Sequence, residues 1–152
     1  MENKVKITFD LEVGDDGYPP FDSESLNALG NSDSYRIISV PFFTYEATYG
    51  DIVSISETAA ERKFKRVLKR AKNSTFRVFL GQQYDEHQDL VVEPVQGRRG
   101  CVAEGSTCQT MIAVAIEPPA LVYNFLVHLQ ELEEREAILG FELAIDRHGL
   151  FD

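Results

Sequence analysis

Three histidines, two cysteines and 25 carboxylates are the side chains from which this 152-residue chain would have to build catalysis or a metal site. His87, His128 and His148 stand at no ligand spacing with one another or with a cysteine, and Cys101-x6-Cys108 has no second pair to complete a tetrahedral set. His128, between Val127 and Leu129, reads as a half-buried structural side chain. Gly105-Ser106-Thr107-Cys108 lacks the closing glycine and the strand-to-helix elbow of a serine nucleophile. Gly97-Arg98-Arg99-Gly100 is no phosphate cradle. Asp85 and Asp89, four apart, would share a helix face, but a solvated acidic face accounts for them better than a cation site does. The inventory predicts no catalytic residue, no metal and no cofactor: a protein that is not an enzyme.

Charge is the more informative signal. The chain carries 15 Lys and Arg against 25 Asp and Glu, a net charge of −10, which argues against affinity for DNA or an anionic membrane. Seven of the basic residues nonetheless fall in one stripe, Arg62, Lys63, Lys65, Arg66, Lys69, Arg70 and Lys72. Lysine in such a stripe balances acidic neighbours and blunts a strand edge. The competing reading, an RNA patch with Phe64 and Phe76 as stacking residues, is disfavoured by the acidity of the rest. At the other extreme, Glu131, Glu133, Glu134 and Glu136 crowd the end of a predicted helix, where negative charge opposes the helix dipole by about 0.3–1 kcal/mol per residue. An i,i+4 pair of Glu131 with Arg135 would offset a few tenths. Acidic residues kept at an unfavourable place point to a basic protein partner. The predicted partner-binding residues are Tyr84, as an aromatic anchor beside carboxylates, Asp85, Glu86, Asp89, Glu131, Glu133 and Glu134.

The elements that must position these residues follow from periodicity. Val5, Ile7, Phe9, Leu11 and Val13 alternate with polar residues and predict a first strand. Gly14 to Pro20 is dense in turn residues, 21–29 is ambiguous, and Gly30 to Ser34 is a polar loop. Strands are predicted over Tyr35–Val40, over Phe42–Thr48 and Ile52–Glu57 as a hairpin around Tyr49-Gly50-Asp51, and over Arg62–Arg70 and Thr75–Leu80 joined by a turn at 71–74. A basic helix over 61–72 competes with the fourth of these. Beyond Leu80 the pattern reads helix (Glu86–Val95, strained by Pro94), strand (Gly100–Gly105), strand (Thr110–Glu117), helix from Pro118-Pro119 to about Ala137, and strand (Phe141–Ile145).

The predicted class is α+β. A β-rich half, 1–73, forms a small curved sheet or barrel and packs as one unit on a ferredoxin-like βαββαβ half, 74–152. Apolar residues are 43% and charged residues 26%, the profile of a soluble globular protein. With no signal-peptide pattern, no apolar run near the roughly 20 residues of a spanning helix and two unpaired-looking cysteines, the chain is expected in the cytoplasm.

Six short motifs occur in one order along the chain: Phe9-Asp10-Leu11 with Asp16-Gly17-Tyr18-Pro19-Pro20, Val40-Pro41-Phe42-Phe43, Tyr49-Gly50-Asp51-Ile52-Val53, Ser74-Thr75-Phe76-Arg77-Val78, Gly100-Cys101-Val102-Ala103-Glu104, and Ala115-Ile116-Glu117-Pro118-Pro119. In these the chain resembles the bacterial domain of unknown function 4265 family. It departs where such proteins often carry Gly-His before the Ser-Thr pair, having Lys72-Asn73 instead. The resemblance implies an architecture and no activity. Proteins of this type are also similar in size and charge to immunity proteins of bacterial toxin systems, which implies a cognate toxin domain as the basic partner and inhibition by occlusion of its active site. The alternative is a regulatory or small-ligand-binding module.

Overall fold

Alternation of Val5, Ile7 and Phe9 with polar neighbours produces β1 (Asn3–Asp10), which buries Ile7 and Phe9 completely because successive side chains leave opposite faces. A computed structural model of the chain describes residues 3–151 and divides it into two compact units, Met1–Ala71 and Lys72–Asp152. In the first, β1 is followed by β2 (Ser23–Asn31), β3 (Ser34–Ile37), β4 (Ile52–Glu57) and β5 (Arg62–Lys69). Each strand pairs antiparallel with the next, and one parallel bridge, Thr8 to Lys63, closes β5 onto β1 as a five-stranded barrel. Ile7, Phe9, Leu26, Ala28, Tyr35, Ile37, Ala47 and Val53 fill its interior.

Four expectations are corrected by the structure. β1 ends at Asp10 rather than Val13, because Gly14 donates to the Tyr18 carbonyl at 2.9 Å and turns the chain away, leaving Val13 exposed. β3 ends at Ile37 rather than Val40, and Phe42–Thr48 is not a strand: the backbone N–H groups a ladder needs are taken by side chains, as the next subsection describes. The ambiguous segment 21–29 is most of β2, and the predicted loop from Gly30 is shorter, since Gly30 and Asn31 still belong to that strand. The basic run is strand β5 and not a helix.

The sixth predicted strand, β6 (Ser74–Phe79), lies in a different sheet. The second unit continues through a single 3-10 turn (Gly81–Gln83) to α1 (Tyr84–Val92), β7 (Cys101–Ser106), β8 (Met111–Ile116), α2 (Pro119–Glu134) and β9 (Gly140–Ile145). Its four strands lie in the order β7-β8-β6-β9, every neighbour antiparallel. Alternate residues of the central strands, Phe76 and Val78 with Ile112, Val114 and Ile116, share one core with Tyr84 and Val91 of α1 and the α2 stripe Val122, Phe125, Leu126, Leu129 and Leu132. α1 stops at Val92, ahead of Pro94, and α2 carries Pro119 in its first turn, where the missing N–H costs nothing. Among the described residues no helix is long and apolar enough to cross a membrane.

Candidate functional site

Two histidines set the helices side by side. His87 Nδ1 donates to the Ala137 carbonyl at 2.7 Å, and His128 Nε2 donates to the Leu90 carbonyl at 2.7 Å. A carbonyl only accepts, so each ring carries its proton on that nitrogen. Rising residue numbers in α1 meet falling numbers in and beyond α2, so the helices run antiparallel, and the start of α1 lies level with the end of α2. Asp85, Glu86 and Asp89 on one helix and Glu131, Glu133 and Glu134 on the other are all exposed. The last turn of α2 holds no basic residue, and Glu131 forms no ion pair with Arg135, which is the C-cap.

Tyr84 is placed differently from its neighbours. It is only 6% exposed, its ring is part of the core, and its hydroxyl lies over Gly105 of β7, where a Cβ would collide with it. Burial, reinforced by the neighbouring Asp85 carboxylate, raises the phenol above its ordinary pKa. Tyr84 therefore fixes the start of α1 on the sheet and offers no exposed anchor.

Among the described residues, one serine hydroxyl meets a histidine ring nitrogen. Ser74 Oγ lies 2.6 Å from His148 Nδ1, and His148 Nε2 donates to the Glu117 carbonyl at 2.6 Å. The ring is thereby held with a lone pair toward Ser74, whose hydroxyl donates to it and accepts the Arg147 N–H at 2.9 Å. Ser74 is fully buried. The contact ties the start of β6 to the end of β8 and the C-terminal turn. Cys101 is half-buried and Cys108 exposed, both as free thiols. Among the described residues no three His, Cys, Asp or Glu side chains converge as a metal site.

A cleft of about 640 Å³ opens on the barrel. It lies where β1 has ended and β5 continues, bordered by Asp10, Leu11 and Glu12 on one side, Phe64 and Lys65 on the other, and the strap from Phe43 to Glu46 above. The strap is held from below by Glu24 of β2. One carboxylate oxygen of Glu24 accepts the Phe42 N–H at 2.6 Å, the other those of Phe43 at 3.1 Å and Thr44 at 2.9 Å. Tyr18 and Phe21 set their rings edge-on to Phe43 with centroids 6.0 Å away, and Phe64 stacks on Phe9 at 4.5 Å. Tyr45 is 60% exposed. Of the two rings considered for nucleic-acid stacking, Phe64 is thus half taken up by the core, and Phe76 is wholly buried, edge-on to Phe125 at 5.1 Å.

The profile of one family, described as Domain of unknown function (DUF4265), matches residues 24–139. The chain belongs to that family. No curated protein matches it. Among solved structures, a hypothetical protein from Neisseria gonorrhoeae is similar at a TM-score of 0.62, with 14% identity over 95% of each chain. At that identity the likeness is one of fold.

The DUF4265 span starts at Glu24 and ends after Leu139. It therefore includes the clamp residue, the strap and both acidic helices, while β1, the 10–20 segment and β9 lie outside it. Asp51 of the Tyr49-Gly50-Asp51 motif is fully buried, with Oδ2 accepting the Thr48 N–H at 3.0 Å and Oδ1 the Ala71 N–H at 2.8 Å. The motif is a structural knot at the mouth of β4. The cleft itself was missed from sequence, its only signal being the local density of aromatic residues at Tyr18, Phe21, Phe42, Phe43 and Tyr45.

Proposed function

We propose that this chain is a non-catalytic binding protein for a basic protein partner, specifically an immunity protein that occludes the active site of a toxin domain in the cytoplasm. The observation that carries this reading is the antiparallel pairing of α1 and α2 through His87 and His128. It brings the start of α1, with exposed Asp85, Glu86 and Asp89, and the end of α2, with exposed Glu131, Glu133 and Glu134, to one end of the second unit, and the six carboxylates give that end an acidic layer of surface charge. Such a layer raises the rate of encounter with a basic groove and suppresses other partners. The chain order βαββαβ and the strand order β9-β6-β8-β7 support a ferredoxin-like assignment for the second unit, a fold that hosts many functions and selects none. The burial of Ser74 supports the non-catalytic part of the reading.

The test is association with the product of the adjacent gene. The triple variant Glu131→Lys, Glu133→Lys, Glu134→Lys slows association at low salt by tenfold or more and much less at high salt, since steering is screened beyond a Debye length of about 10 Å at 0.1 M. The control Lys65→Glu, Arg66→Glu, Lys69→Glu leaves association unchanged or faster. Co-expression that yields neither a complex nor protection of the host cell overturns the reading. The module alternative, a protein that binds a small ligand or regulates through one, is favoured by the open cleft of the barrel.

A further inference from the structure

We propose that the barrel cleft binds an arginine side chain presented by an extended segment of a partner protein. The proposal concerns the first unit alone and stands apart from the acidic helices. β1 and β5 pair at one position only, Thr8 with Lys63, and β1 stops two residues later. β5 runs on, so Phe64 and Lys65 border a gap of about 640 Å³ instead of a strand.

The walls of that gap specify a cation with a flat apolar face. Phe43, Tyr45 and Phe64 line it, and Phe43 is held in place by the Glu24 clamp on its backbone and by the edges of Tyr18 and Phe21. Asp10, Glu12 and Glu46 line the same space against a single ammonium, that of Lys65. Asp10 is engaged by Lys63 at 3.5 Å, whereas Glu12 and Glu46 enter no ion pair among the described residues. An anion is repelled by these carboxylates, and a purely apolar group would strip them of water without replacing its hydrogen bonds. A guanidinium meets both demands: it is weakly hydrated, stacks on aromatic faces, and its fork fits a carboxylate with two parallel N–H donors. The open seam beside β5 gives an extended backbone a place to lie while its side chain enters between the rings.

The experiment is a two-dimensional amide NMR titration of the full chain with a capped tripeptide carrying a central arginine, against the same peptide carrying citrulline, which keeps the shape and loses the charge. The expected result is saturable shifts at 10–12, 43–46 and 64–65 in the millimolar range, with the citrulline peptide at least tenfold weaker. The double variant Glu12→Gln, Glu46→Gln, and separately Tyr45→Ala, weaken arginine binding tenfold or more while the rest of the spectrum stays unchanged. Equal binding of the citrulline peptide, or no shift in the cleft at saturating millimolar peptide, overturns the proposal. Shifts that appear only at 85–89 and 131–136 also overturn it and leave the acidic helical reading in place. Free arginine amide binding the cleft as tightly as the peptide overturns the protein segment as its occupant.

Discussion

Ser74 Oγ and His148 Nδ1, separated by 74 positions in the chain, lie 2.6 Å apart. The Glu117 carbonyl on the far side of the ring fixes which nitrogen is protonated, so the serine hydroxyl has a defined direction. Three segments of the second unit meet at this contact, and each loses a bond if it is removed. Ser74→Ala removes the hydroxyl that donates to the His148 ring and accepts from the Arg147 N–H, and the expected cost is about 1–3 kcal/mol in urea unfolding. His148→Ala costs a similar amount. The double variant costs less than the two together, because the pair acts as a unit. Additive costs would show that the contact contributes nothing.

The end of α2 carries a residue in the wrong conformational class. Ala137 donates to the Leu132 carbonyl at 2.8 Å and Glu136 to that of Glu133 at 3.0 Å, the two bonds of a Schellman cap. That cap puts Glu136 at φ 59°, a left-handed conformation that glycine adopts without a Cβ penalty. Glu136→Gly is expected to stabilise the protein by about 1 kcal/mol, with Tm rising by roughly 2–4 °C for a chain of this size. It also removes one negative charge from the unfavourable end of the helix dipole. A fall in Tm would mean that this side chain has a partner in solution.

The C-terminal turn depends on one carboxylate. Burial pushes the pKa of Asp146 up, but the backbone N–H groups of Leu150, Phe151, His148 and Gly149 outweigh it and hold the group below the usual carboxylate range. With the folded value below the unfolded one, the contribution is fully present above the unfolded pKa of about 4 and is lost as pH falls through the folded value. Asp146→Asn is therefore less stable than the parent at neutral pH, and the gap closes below about pH 4. Chemical denaturation at neutral and acid pH measures it, and a gap independent of pH would contradict the assignment.

The two thiols are expected to react at separate rates. Burial raises the Cys101 thiol above its ordinary pKa, with Arg98 opposing, while Cys108 is exposed. Since the thiolate is the nucleophile, a disulfide reagent near pH 8 labels one equivalent quickly and the second slowly. Both react at once in denaturant. A single fast phase of two equivalents in the native protein would place Cys101 in solvent.

What was legible in the sequence was whatever rested on local periodicity. The α2 stripe Val122, Phe125, Leu126, Leu129 and Leu132 is buried as its spacing requires, and β4 runs from Ile52 to Glu57 as its β-branched pattern does. The errors came where a distant side chain overrides a local pattern. Phe42 and Phe43 have strand composition, but Glu24, 18 and 19 positions earlier, takes their N–H groups, and nothing in either segment announces the partnership. Tyr84 among carboxylates looked exposed, yet Gly105 leaves the space into which it sinks. The cleft follows the same rule, since it exists because β1 stops and β5 does not.

The Glu24 clamp makes the strongest claim about how the first unit is held. Three backbone N–H groups of the strap converge on one half-buried carboxylate, at 2.6, 3.1 and 2.9 Å. Charge-assisted bonds of this kind are the stronger members of their class. Glu24→Ala is expected to cost about 2–3 kcal/mol, and Glu24→Gln less, because the amide retains one acceptor oxygen. The finer readout is hydrogen exchange. Amides of Phe42, Phe43 and Thr44 exchange faster in Glu24→Ala, while those of Phe76 and Val114, in the sheet of the second unit, keep the parental rates whenever exchange proceeds by local opening. Loss of protection confined to the strap shows the carboxylate holding the cleft wall in place. Equal loss across the barrel strands would instead make Glu24 a determinant of the barrel as a whole. Unchanged protection at all three amides would dismiss the clamp.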